Sequence, residues 1–342
     1  MQNSTLKDVA KLAGVHLSTA SRALDPRMKH LISEDIIEVV GKAARKLNYR
    51  RNRVAAGLRT RKTKSLGIVI PDITNPFFPP IIRGIEDRTA QEDYVALIGH
   101  TDGDSTREGR VIEAFCSRGI DALIVASADI VDKHVIQALS SGIPIVTINR
   151  QVKHSKVSSV GSDDDAGISE VLRHLASLGH KRISFISGPT TSWPGIKRYD
   201  AFVKWSRKLH LLGGEELVQF ATDFRESEGE RCAAHLLDTA PNLTAIVCAN
   251  DLLAIGAISR LRESGLSCPG DVSVTGFNDM RFADRLNPAL TTVNVPKYDL
   301  GWKAADVALN AIQTAVAKRV TTNIVLPISL QARDSSGPAK GA

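Results

Sequence analysis

Residues 5–24 read TLKDVAKLAGVHLSTASRAL, and a helix over 17–24 leaves Ser18, Thr19, Ser21 and Arg22 on its outer face. Hydroxyls of that kind hydrogen-bond base edges or phosphates, and a guanidinium meets guanine O6 and N7 in bidentate fashion. The second chemically suggestive stretch is Asn52-Arg53-Val54-Ala55-Ala56-Gly57-Leu58-Arg59. Its two helical turns are too short to stand alone in water. Small Ala55 and Ala56 permit close approach to a minor groove, where Leu58 wedges between base steps and Arg59 sits beside it. Without such a partner the segment reads as a flexible basic tether.

Several elements must position these groups. Thr5 is placed to cap a first helix, with Leu6, Val9, Ala10 and Ala13 as its apolar stripe. Gly14 then permits the left-handed turn into the second helix. Ala20, Ala23 and Leu24 face inward. A third helix over 34–47 supplies Ile36, Val39, Val40, Ala43 and Leu47 to the same small core. Charge follows the same division. Residues 1–62 hold 14 Lys/Arg against 5 Asp/Glu, so the chain's net +7 is carried entirely by its first sixth. A positive end of that density implies a polyanionic partner, nucleic acid or an anionic membrane surface, and the motif favours DNA.

From Ser65 onward the texture changes. Short Val/Ile-rich runs at 66–70, 94–98, 122–125, 145–148, 183–186, 245–248 and 272–275 alternate with helical periodicity at 78–92, 106–118, 164–178, 197–211, 225–238, 251–264 and 297–317. Runs apolar on both faces fit parallel strands covered by helices on each side, in two doubly wound lobes. Ligands of such folds sit beyond the carboxyl ends of the strands or between lobes.

Other chemistries find little support. There is no G-x-x-x-x-G-K-[ST], G-x-S-x-G or H-E-x-x-H. Asp163-Asp164-Asp165 reads as the start of a helix, where carboxylates favour the positive end of the dipole, more than as a metal site. The four cysteines are scattered, as buried small hydrophobes would be in a reducing compartment. Met1 is followed by polar residues and no stretch approaches the ~18 apolar residues of a membrane span. A cytoplasmic protein without metal, cofactor or catalytic centre is expected.

With these residues in view, the chain resembles the LacI–GalR family of bacterial repressors along its length. The resemblance rests on TLKDVAKLAGV, STASRAL, NRVAAGLR, SLGIVIPDITNPFF, HLASLGHKRISFISGP, ANDLLAIGA and DVSVTGFND, in that order. It implies an all-α helix-turn-helix headpiece over 1–49 and a hinge helix and linker over 50–64. Residues 65–342 would form an α/β core of two doubly wound parallel-sheet lobes, like a type I periplasmic binding protein. The N-lobe would take about 65–161 and 292–319, the C-lobe about 163–290 and 322–334. Crossovers would fall near 161–163, 290–293 and 319–323.

The resemblance further implies a homodimer on a pseudo-palindromic operator, with a small-molecule effector between the lobes altering operator affinity. Carried over by position, Leu17, Ser18 and Arg22 read bases, with Thr19 and Ser21 beside them. Asn52, Ala55, Leu58 and Arg59 serve the minor groove. Phe77, Phe78, Asn149, Trp193, Arg198, Phe224, Asn250 and Asn278 surround the effector, which would be a sugar, sugar acid or nucleoside-like molecule. Four departures stand out. Asn278 replaces a frequent Asp, so the site would not repel an anion there. Ala201 replaces a Gly. Residues 25–32 are about two longer than usual, which brings Arg27 or Lys29 within reach of phosphate. Ile36-Ile37 replaces a Thr-Arg pair. The ending SSGPAKGA lacks the leucine-repeat tail of tetrameric relatives, so a dimer is expected. The competing readings are an effector-independent or co-repressor-dependent regulator, a solute-binding protein, and an enzyme on the same α/β fold.

Overall fold

The computed structural model describes residues 4–25, 28–49, 62–154, 156–212 and 214–340. Its internal contacts divide the chain between Thr63 and Lys64 into two compact units.

The first unit holds α1 (Leu6–Leu12), α2 (Leu17–Ala23) and α3 (Glu34–Lys46). Thr5 caps α1 in a capping box, its hydroxyl accepting from Asp8 N while the Asp8 carboxylate accepts from Thr5 N. Gly14 takes φ +65° in the turn. Val9, Ala10, Ala20, Ala23, Val40, Ala43 and Ala44 form the core. Alanine at five of these seven positions lets the helices approach closely, which short helices need to gain any tertiary support. Val39 departs from expectation. It is 47% exposed, because α3 turns its Val40–Ala43–Ala44 face inward and Val39 lies a quarter-turn away.

The second unit carries two six-stranded sheets. One has the order β11-β5-β4-β3-β1-β2 and the other β12-β10-β9-β8-β6-β7. The first comprises β1 (Ser65–Ile70), β2 (Val95–His100), β3 (Ala122–Val125), β4 (Ile145–Ile148), β5 (Ser158–Ser162) and β11 (Asn323–Leu326). The second comprises β6 (Ile183–Ser187), β7 (Val218–Phe220), β8 (Ala245–Cys248), β9 (Ser273–Asn278), β10 (Thr291–Asn294) and β12 (Ser329–Gln331). All pairings are parallel except β10 with β12.

The covering helices are α4 (Phe78–Ala90), α5 (Ser105–Ser117), α6 (Lys133–Ser140), α7 (Asp164–Ser177), α8 (Trp193–Lys208), α9 (Glu226–Thr239), α10 (Asp251–Glu263) and α11 (Lys297–Gln313). Helix on both faces explains the continuous apolar strands: every residue of Ala122–Val125, Ile145–Ile148 and Ala245–Cys248 is buried.

The chain passes between sheets three times. The first passage, between β5 and α7, falls where expected. The other two do not. β10 belongs to the second sheet and β11 to the first, so the crossovers lie at 295–296 and 327–328, beyond the expected 290–293 and 319–323. Thr291 and Thr292 are fully buried in β10 and hydrogen-bonded, so a polar tetrapeptide forms a strand that hydrophobic patterning does not reveal.

Candidate functional site

On the first unit, His16 caps α2 through Nδ1, which accepts from Ser18 N, and the same ring nitrogen lies 2.8 Å from Ser18 Oγ. Leu17, Ser18 and Arg22 are exposed, whereas Thr19 and Ser21 are half-buried. The helix thus offers one apolar, one hydroxyl and one guanidinium group along one side. Arg27, Asn52, Ala55, Leu58 and Arg59 lie outside the described residues.

On the second unit, the carboxyl ends of strands from both sheets converge on a cavity of about 190 Å³. From the first sheet come Asp72 and Phe77 after β1, Ser127 and Asp129 after β3, and Asn149 and Arg150 after β4. From the second come Thr222 to Arg225 after β7, Asn250 after β8, Asn278 ending β9, and Pro194 and Arg198 on α8. This is the place where open α/β sheets bind ligands. Backbone N–H of Ile130 reaches Thr191 O at 3.3 Å, and Arg225 Nη2 stands 3.7 Å from Asp72, so two contacts join the lobes across the cavity.

Seven of the eight residues expected around an effector line this one cavity: Phe77, Phe78, Asn149, Arg198, Phe224, Asn250 and Asn278. Trp193 does not. It lines a neighbouring cavity with Lys197, whose ammonium lies 4.7 Å over its ring. The cause is helical phase. α8 begins at Trp193, four residues before the expected start. Its 194/198 face meets the first cavity while 193, 197, 200, 201 and 204 face the other.

Arg198 is 1% exposed and organises the C-lobe wall. Its Nε donates to Asp164 Oδ1 at 2.9 Å and its Nη1 to Ala249 O at 2.5 Å, and its guanidinium stacks 3.7 Å over the Phe277 ring. Its Nη2 is buried without a partner, as is Oδ1 of Asn278. Both atoms belong to residues that line the cavity, and buried polar atoms of native folds are nearly always satisfied. Behind them, Asp251 accepts from Thr292 Oγ1 and Met280 N, and burial pushes its pKa up to about 7. The aspartate run divides its duties: Asp163 caps α7, Asp164 holds Arg198, and Asp165 holds Lys204.

The N-lobe wall contains residues that sequence reasoning missed. Glu108 on α5 is buried behind Ser127 and accepts its hydroxyl proton. Burial, then a hydrogen bond to Asp132, pushes its pKa up to about 8. Arg150 and Asp129 face the cavity directly. The usable signal was positional: each follows an apolar strand run, where a carboxyl end delivers side chains to the cleft.

Two family descriptions match the chain. Bacterial regulatory proteins of the lacI family match residues 5–52, and a periplasmic binding protein-like domain matches residues 172–336. The chain is 30% identical over 310 residues to the ribose operon repressor of Halalkalibacterium halodurans, covering 91% of each chain. It is 32% identical over 306 residues to the regulator GalR of Salmonella typhimurium, covering 90% of this chain and 89% of that one. Among solved structures, the transcriptional regulator CelR in complex with cellobiose matches with a TM-score of 0.74 at 27% identity, over 97% of this chain and 99% of that one. The chain therefore belongs to the LacI–GalR family and is a DNA-binding transcription regulator, with a helix-turn-helix headpiece and a periplasmic-binding-protein-like core. Among the described residues, no helix is long and apolar enough to cross a membrane.

Proposed function

We propose that this regulator is a cytoplasmic repressor that grips a pseudo-palindromic operator as a homodimer and senses a hydroxylated small molecule between its core lobes. Leu17, Ser18, Thr19, Ser21 and Arg22 read one half-site in the major groove. Arg27 steadies phosphate, and Asn52, Ala55, Leu58 and Arg59 serve the central minor groove. The effector, a sugar, sugar acid or nucleoside-like molecule, lies against Phe77, Phe78 and Phe224 and within reach of Asn149, Arg198, Asn250 and Asn278. Closing on it turns the lobes about the three crossovers, and a coupling of ~1–3 kcal/mol would change operator affinity ~5–150-fold. Nothing is turned over.

The observation that carries this reading is the pair of orphan atoms, Arg198 Nη2 and Asn278 Oδ1, on the wall of one cavity shared by both lobes. The test is selection of bound sequences from random DNA, followed by titration of the selected site with candidate ligands. A two-fold-symmetric site whose affinity a ligand shifts is expected. Enrichment of asymmetric sequence, or conversion of the ligand to product, overturns the proposal.

A further inference from the structure

The charged groups on the cavity wall are unequally provided for. Arg198 is held by Asp164, Arg225 by Asp72 and Asp223, and Asp102 by Arg107. The Arg150 side chain makes no hydrogen bond or ion pair among the described residues, although the residue is half-buried and lines the cavity. Arg198, whose Nη2 is buried without a partner, lines the same cavity. Two guanidinium groups with open donors therefore meet at one cavity, one from each lobe, which an unliganded site keeps only at a cost in desolvation.

We propose that the effector is a monoanionic, hydroxylated single ring, a sugar acid, whose carboxylate seats between Arg150 and Arg198. This deepens the functional reading above and rests on it.

Four further observations favour it. The strand ends nearest these arginines supply amides: Asn149, Asn250 and Asn278 carry no charge that would repel a carboxylate. Glu108, behind Ser127, is held protonated through neutral pH by burial and by Asp132, which removes one negative charge from the N-lobe wall. The carboxylate of Asp129, which has no partner among the described residues, and Oδ1 of Asn278 remain as acceptors, suited to ring hydroxyls. The cavity, about 190 Å³, is comparable to the ~150 Å³ of an engineered cavity that takes one benzene ring, the space of one ring. A phosphate dianion fits less well, because Arg225, the third arginine on the wall, is committed to two carboxylates. Burial pushes the Arg150 pKa down to about 10 against the opposing pull of the Asp129 and Glu108 carboxyl groups, and Arg150 remains cationic at neutral pH. A planar fork meets a carboxylate in bidentate fashion, a match that hydroxyls reproduce only in part.

The test uses the full chain, isothermal titration at constant ionic strength, and matched probes. These are glucose, galactose and mannose, the three corresponding uronic acids, gluconate, and glucose 6-phosphate. The expected result is that one acid binds about 30-fold or more tightly than its neutral counterpart, and that Arg150→Gln removes this advantage. Arg150→Lys, which keeps the charge without the fork, recovers part of it. Arg150 holds no other residue, so the variants fold, which a thermal melt verifies. A neutral sugar binding as tightly as its acid, an advantage that survives Arg150→Gln, or a preference for the phosphate overturns the sugar-acid assignment while leaving the cleft as the effector site. Binding by none of the probes overturns both.

Discussion

The two lobes of the core share a topology and differ in how they keep their polar groups. In the C-lobe wall nearly every buried charge has a partner. Arg198 is fixed by Asp164, Ala249 O and the Phe277 ring. Asp251 is fixed by Thr292 and Met280, and Lys297 donates to the carbonyls of Asn278 and Asp279 at 2.5 and 2.7 Å. In the N-lobe wall the side chains of Arg150, Asp129 and Asn149 have no hydrogen bond among the described residues, while burial and nearby Asp132 raise the pKa of Glu108 behind them. A doubly wound sheet thus fixes where a ligand binds but not how prepared each wall is. The C-lobe holds its charged groups in place and leaves buried without a partner only Arg198 Nη2 and Asn278 Oδ1 among its described cavity-lining groups. The N-lobe is completed by whatever enters.

The sharpest way to break this contrast is to remove one arginine from each wall. Arg198→Ala leaves Asp164, which is 7% exposed, as a buried charge without its cation, and should cost about 3–5 kcal/mol of stability. Arg150→Ala removes no side-chain hydrogen bond or ion pair among the described residues and should cost under ~1 kcal/mol. Urea denaturation of the two variants decides it. Equal losses would mean that the N-lobe wall is as interlocked as its counterpart.

A control establishes that the lobes are alike away from the cleft. Gly84 on α4 lies under α11, where a Cβ would come 2.1 Å from Tyr298 O. Gly256 on α10 lies under α9, where a Cβ would come 1.9 Å from Glu226 O. Backbone cannot yield as a side-chain tip can. Gly84→Ala and Gly256→Ala should therefore each destabilise by about 1–3 kcal/mol through forced separation of a helix pair. A large loss in one lobe and none in the other, seen in thermal melts, would show that the asymmetry extends into the scaffold.

How much of this was legible beforehand follows the same division. Strands buried on both faces, such as Ala122–Val125, announce themselves as apolar runs. β5 (SSVGS) and β10 do not, because their buried positions are serines and threonines satisfied by hydrogen bonds. β11 was hidden for the opposite reason: it is a sheet edge, with Val325 65% exposed. Helix α6 escaped because its eight residues give periodicity little to work on; its Asp132 cap was the better signal. In the cleft, motif position brought seven residues to one cavity, yet Trp193 failed by one face of a helix whose start was misjudged. Arg150 was invisible for a deeper reason. A guanidinium without a partner is written nowhere in a sequence; it exists only once every neighbour is placed.

Acidity offers a finer probe. An unfolded chain releases the Glu108 proton near pH 4.5, whereas the folded protein holds it to about 8. Across that window the folded state binds more protons, so stability falls as pH rises. Asp251 in the C-lobe acts with the same sign between 3.8 and about 7. Glu108→Gln fixes the neutral form on an isosteric side chain. It should flatten the N-lobe's part of the decline, a gain of at most a few kcal/mol at pH 8 given about 1.4 kcal/mol per pKa unit, and leave the part owed to Asp251. Urea midpoints for the wild type and the variant at pH 5 and pH 8 report it, and an unchanged slope would rule out a protonated Glu108 on the N-lobe wall.

The smallest expected effect concerns the contact between the walls. Asp72 and Arg225 meet at 3.7 Å, with the arginine side chain half exposed, and Asp223 competes for the same guanidinium at 3.7 Å. Pairs of this kind contribute about 0–1 kcal/mol. Asp72→Asn keeps an acceptor for Thr74, whose N and Oγ1 both reach Asp72 Oδ1, so the loop after β1 should hold its shape. What is lost is charge across the mouth. The variant should melt within about 1 °C of the wild type, because under ~0.3 kcal/mol is at stake once Asp223 takes over the arginine. Effector release should quicken, by about fivefold at most, and more at low salt than at high. The order of these effects tests the contrast between the lobes. If the exposed latch mattered more to effector residence than Arg150, the ligand would be held by closure of the walls, and the unpaired guanidinium would not be the group that captures it.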